Sequence, residues 1–110
     1  MPSRGEAWWA FGGDRTPVVI LSSSGESELR AIQVVSAAET DISGVAIELP
    51  VGCDEGLPSG VLRIALAREG RINCAWLLSL DESDLRERAG DLSEAKLSRL
   101  EEMLRLGGLE

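Results

Sequence analysis

A chain of 110 residues, 44% hydrophobic and 27% charged, can bury one ordinary core but not two independent ones, and its composition excludes wholesale disorder. It contains no histidine and no tyrosine, so Ser-His-Asp and Cys-His catalysis are excluded. Its net charge of -8 excludes the global basic footprint of most nucleic-acid binders, and no apolar run is long enough to cross a bilayer as a helix.

In chain order, Glu6 to Phe11 is apolar and rich in tryptophan, Gly12-Gly13-Asp14 is a turn signal, and Pro17 to Ser22 is a β-branched run. Together they predict a hairpin. Ser22 to Glu28 is polar and serine-rich and reads as a loop leading to a third strand over Ala31 to Val35. Ile42 to Leu49 predicts a further strand, and Pro50 to Pro58, with two glycines and two prolines, predicts a loop. Val61 to Leu66 and Ile72 to Leu80 read as a second hairpin joined by Ala67-Arg68-Glu69-Gly70.

Over the last third the apolar period lengthens from two to about three and a half. Asp81 to Leu85 suggests a short helical turn. Ser93 is placed to cap a helix whose Leu97, Leu100, Met103 and Leu104 share one face, with Glu94 at its positive end and Gly107-Gly108 as its stop. The predicted fold class is therefore α+β, a single domain over 1-110 in which a small SH3-like β-barrel or partly open sheet carries a C-terminal helix.

Cys53 and Cys74 lie in different contexts and form no close-spaced pair, so neither a disulfide framework nor a zinc site is expected, and no metal or cofactor is predicted. The N-terminus does not follow a signal peptide's three-part plan, which leads to the expectation of a cytoplasmic protein with no membrane partner. Without histidine or tyrosine, chemistry must rest on carboxylates, cations, hydroxyls and positioning. Residues 1-80 carry six arginines against ten acids, and 81-110 carry five basic residues against nine, so any polyanion must be held by a local arginine cluster. Arg63, Arg68 and Arg71, on or beside one predicted hairpin, form such a cluster, or else they are the solvated face of that hairpin.

The run Arg4-Gly5-Glu6-Ala7-Trp8-Trp9, the strand Pro17-Val18-Val19-Ile20-Leu21-Ser22, the strand Ile32-Gln33-Val34-Val35, the Gly-Leu-Pro of the Leu49 to Pro58 loop, and Gly90-Asp91-Leu92-Ser93 before the last helix occur in one order. In that order and spacing the chain resembles the MazF/PemK toxins, small ribonucleases of bacterial toxin-antitoxin systems. The resemblance implies a MazF/CcdB-like fold and a metal-independent endoribonuclease, an mRNA interferase. Such an enzyme cuts single-stranded RNA by attack of a ribose 2′-hydroxyl on the adjacent phosphate, leaving 2′,3′-cyclic phosphate and 5′-hydroxyl ends. It also implies a homodimer and a cognate antitoxin that occupies the RNA groove.

The family's site pairs an arginine entering the second strand with a threonine or serine after the third. Here the resemblance points to Arg15 as the catalytic cation, and a plain solvated turn residue is the competing reading. The family places its arginine directly before the proline, whereas Thr16 intervenes in this chain and is itself a candidate pocket hydroxyl. After the third strand, Ala37 and Ala38 stand where the hydroxyl is expected, flanked by Ser36 and Thr40, and both of these are candidates. Trp9, with Arg63, Arg68 and Arg71, is a candidate RNA contact. Adjacent strand residues face opposite sides, so Trp8 and Trp9 are expected to part, one into the core and one toward a dimer interface or RNA. The competing functional reading is a non-enzymatic CcdB-like toxin that binds DNA gyrase, or a catalytically degenerate member that binds only its antitoxin.

Overall fold

The computed structural model describes residues 3-10, 16-24, 28-37, 39, 44, 46-66 and 77-107. They form a small α+β fold of seven strands and a C-terminal helix: β1 Glu6–Ala10, β2 Thr16–Ser24, β3 Glu28–Gln33, β4 Ala46–Val51, β5 Gly60–Ala65, β6 Leu77–Asp81, β7 Leu85–Asp91 and α1 Glu94–Leu106. Short 3-10 turns occupy Cys53–Glu55 and Glu82–Asp84.

Five strands make one antiparallel sheet in the order β6-β3-β2-β1-β7, and β4 pairs with β5 in a second. The predicted first hairpin is present, with Ala7 opposite Val19 and Trp9 opposite Pro17. β2 reads as a continuous apolar run because both of its faces are covered. Val19 joins Ala7 and Ile32 in one buried cluster, while Val18 and Ile20 join Leu29, Ala31 and Leu80 in another. Bulges curl this sheet: Leu21 is an extra residue on β2, and Ala89 and Arg86 are extra residues on β7. A single antiparallel bridge, Val35 with Val61, ties the end of the β3 segment to β5. The described strands do not form a closed barrel.

The turn and most of the second strand of the second predicted hairpin, residues 67-76, lie outside the described residues. β5 pairs with β4, through Leu62 opposite Leu49 and Ile64 opposite Ile47, whereas β6 pairs with β3, through Leu77 opposite Ile32 and Leu80 opposite Leu29. Alternating apolar residues specify a strand and its inward face but not its neighbour. β7 is a strand the sequence reading lacked. Its Leu85-Arg86-Glu87-Arg88 shows no clean alternation, because a twice-bulged edge strand does not need one.

Helix α1 matches expectation. The Ser93 hydroxyl accepts a hydrogen bond from the Lys96 backbone N–H at 3.2 Å, satisfying one otherwise unpaired donor of the first turn. Leu100, Met103 and Leu104 are buried in the cluster that also holds Leu49, Val51, Leu62 and Ile64, so the helix and the β4-β5 pair share one core. Each such side chain contributes about 1.5-3 kcal/mol on burial. Gly107 ends the helix with an ordinary right-handed backbone, and space is its reason: a Cβ there would meet Ile64 Cγ2 at 2.5 Å.

Candidate functional site

The entry of β2 and the exit of β3 adjoin. The Val34 N–H donates to the Pro17 carbonyl at 3.0 Å, and Val35 exchanges both backbone hydrogen bonds with Val61, at 3.0 and 2.7 Å. Gly60 permits this approach, since a Cβ on it would lie 2.7 Å from the Val35 carbonyl oxygen. Thr16 and Pro17, Trp9 opposite Pro17, Ser36 after Val35, and β5 are thereby gathered at one end of the fold. Thr16 and Trp9 are half-buried and Ser36 is exposed.

Arg63 anchors this end. It stands directly opposite Glu48 in the β4-β5 pair, where its Nε donates to Glu48 Oε2 at 2.8 Å and its Nη2 lies in an ion pair 2.7 Å from the same oxygen. Nη2 also donates to the Ser36 carbonyl at 2.8 Å. Both side chains are largely covered, 24% and 18% exposed, so the guanidinium charge is compensated at close range by one carboxylate. Of the sequence-derived candidates, Ser36 and Arg63 are thus joined by a hydrogen bond, and Thr16 and Trp9 lie on the adjoining strands. Arg15, Thr40, Arg68 and Arg71 fall outside the described residues. Glu48 was not singled out from sequence. The available signal was complementary charge at matching positions of two alternating strands, Ile47-Glu48-Leu49 and Leu62-Arg63-Ile64.

Trp8 and Trp9 are both half-buried. Trp8 packs against the cluster of Val18 and Ile20, and its indole N–H donates to Glu6 Oε1 at 3.2 Å. Glu6 also meets Arg88 at 3.4 Å, and Arg88 grips Asp91 at 2.7 Å. The hydrogen bond to Asp91 and then its charge raise the Arg88 pKa above its ordinary value; desolvation opposes them, and the Glu6 charge adds a smaller upward contribution. That guanidinium is half exposed, so the pair adds little to stability.

An open depression of about 380 Å³ lies elsewhere, between the turn after β4 and the first turn of α1, lined by Val51, Cys53, Asp54, Leu57, Ser59 and Lys96 among others. Beneath it Glu55 is buried, accepting from the Gly52 N–H and from Lys96 Nζ, each at 2.8 Å. Among the described residues no three His, Cys, Asp or Glu side chains are grouped to hold a metal ion. No family model matches the chain, and no curated protein is significantly similar to it in sequence.

Proposed function

We propose that the chain is a metal-independent endoribonuclease of the MazF/PemK kind, built on an SH3-like small barrel, homodimeric, and inhibited by a cognate antitoxin. The observation that carries this reading is the 3.0 Å hydrogen bond between the entry of β2 and the exit of β3. It brings close the two chain segments that supply the cation and the hydroxyl in enzymes the sequence resembles. Arg15 would stabilise the charge that builds on the phosphorane when the 2′-hydroxyl attacks, and Thr16, Ser36 or Thr40 would supply a hydrogen bond to it. A chain without histidine suits such a site, where positioning and charge carry most of the barrier reduction.

The test incubates the pure protein with mixed-sequence single-stranded RNA in EDTA and analyses the product ends. Cleavage to 2′,3′-cyclic phosphate and 5′-hydroxyl ends, lost in Arg15→Ala, is the expected result. Intact RNA at high enzyme concentration counts against the proposal.

One observation favours a second reading. Arg63 is engaged by Glu48, and on a chain of net charge -8 this leaves fewer cations for a polyanion. A CcdB-like toxin that binds DNA gyrase, or a degenerate copy that binds only its antitoxin, needs no RNA groove. Recovery of gyrase in a pull-down, with RNA left intact, distinguishes it.

A further inference from the structure

We infer that Arg63 is a positioning residue, which acts through Ser36 in the segment that follows β3 and not by holding RNA itself. The inference rests on the nuclease reading for its catalytic consequence, and on hydrogen bonds for its mechanics. Arg63 is shared between two elements: Nε and Nη2 take the Glu48 carboxylate across the β4-β5 pair, and Nη2 also takes the Ser36 carbonyl. Only one antiparallel bridge, Val35 with Val61, otherwise joins the described end of this segment to β5. Past Val35 no further backbone pairing to β5 is described, so Ser36 is the first residue of this segment held to β5 by a side chain. The guanidinium contact, one residue further on, tethers the Ser36 backbone to β5 and so fixes where that residue stands.

Charge supports the same assignment. A phosphate approaching Arg63 would also approach Glu48, 2.7 Å away and largely covered, and the carboxylate would repel it. The planar fork of arginine suits two acceptors at once, whereas a lysine ammonium in its place acts as a single point charge. Misplacing a catalytic group by about 1 Å costs up to about 100-fold in rate, so a clamp on the hydroxyl-bearing segment has a large kinetic consequence without touching substrate.

The deciding experiment compares wild type, Arg63→Lys, Glu48→Gln and the double variant in two assays. In RNA cleavage, each single variant is expected to lower kcat by about 10- to 100-fold with KM little changed. The double variant should be no worse than the worse single one, because both changes release the same clamp. The salt dependence of RNA binding should keep its slope. In hydrogen exchange, read without RNA, the Val35 amide should exchange faster in both single variants.

A direct phosphate contact gives the opposite pattern. Arg63→Lys or Arg63→Ala would then raise KM, and the alanine variant would reduce the salt slope by about 0.7. Glu48→Gln would tighten RNA binding by removing a repulsive charge. Either of those results overturns the inference, as does unchanged Val35 exchange. If wild type leaves RNA intact while exchange at Val35 still responds, the clamp stands and the nuclease reading falls.

Discussion

Lys96 Nζ lies 2.8 Å from Glu55 Oε2, and this contact spans 41 positions of sequence to join the first turn of α1 to the turn after β4. Glu55 is 2% exposed and is the only buried charged residue among those described. Its other oxygen accepts the Gly52 N–H, so one carboxylate closes its own turn and docks the helix. Removing the ammonium strands a buried charge. For a fully buried pair this costs about 3-5 kcal/mol. Lys96 keeps 30% of its side chain in solvent, which lowers the expectation for Lys96→Met to roughly 2 kcal/mol. Glu55→Gln combined with Lys96→Met should recover part of that loss, since no bare charge then remains. Urea unfolding of the three variants measures both effects, and a double variant less stable than Lys96→Met would refute the argument.

The same turn rests on β7 through two glycines. Gly56 has φ of +73°, and a Cβ on it would lie 2.2 Å from the Ala89 carbonyl oxygen. A Cβ on Gly90 would lie 2.6 Å from the Glu55 carbonyl oxygen. Both obstacles are backbone, which cannot rotate away as a side chain can. Gly56→Ala therefore carries a left-handed penalty of about 1-2 kcal/mol and overpacking of about 1-3 kcal/mol, and Gly90→Ala carries the overpacking alone. The expected order of stability is wild type, then Gly90→Ala, then Gly56→Ala, as read from unfolding midpoints.

These two features also mark where local sequence patterns stop being informative. α1 was legible because Ser93, the leucine stripe and Gly107 each carry their signal within a few residues. The β1-β2 hairpin was legible for the same reason. The pairing of β5 with β4, and of β6 with β3, depends on which faces meet in the core and not on the strands' own alternation. Glu55 sits in a stretch rich in glycine and proline where a charged residue is ordinarily solvated; nothing nearby announces that Lys96 will reach it. At the candidate site, Ser36 and Arg63 were each picked out singly. Their hydrogen bond, and the part of Glu48, follow from strand register, which no local motif encodes.

Capping offers a more local check on α1. Ser93→Ala removes the oxygen that accepts the Lys96 N–H and should cost about 1 kcal/mol, while Ser93→Asp, which keeps an acceptor and adds charge favourable to the helix dipole, should cost little or nothing. The measurement is the shift in thermal midpoint of each variant. Equal losses in both would show that the cap is not what holds the helix start.

The pH response of the Arg88 cluster has a definite sign. A cation whose folded pKa is raised contributes stability that is fully present below its unfolded pKa and is lost as pH rises through the folded one. For Arg88 that window lies in strong alkali. Arg88→Gln is therefore expected to leave the shape of the stability profile through the neutral range unchanged. Urea midpoints collected at several pH values test this, and a profile that changes shape near neutrality would contradict it.

On the proposed nuclease reading, the hydroxyl candidates separate by single-turnover cleavage. Ser36 is held by its backbone carbonyl to Arg63, which leaves its exposed side chain available, and Thr16 begins β2 beside that segment. Losing one hydrogen bond to a developing phosphorane charge typically lowers the rate by about 10²-10³. If Ser36 supplies that bond, Ser36→Ala should show this loss, whereas Thr16→Val and Thr40→Ala change the rate little. Ser36→Thr, which restores a hydroxyl at the same position, should regain most of the activity. A Thr40→Ala variant that alone loses activity moves the role along the chain to Thr40, and three variants all as fast as wild type would show that no side-chain hydroxyl at these positions takes part in the chemical step.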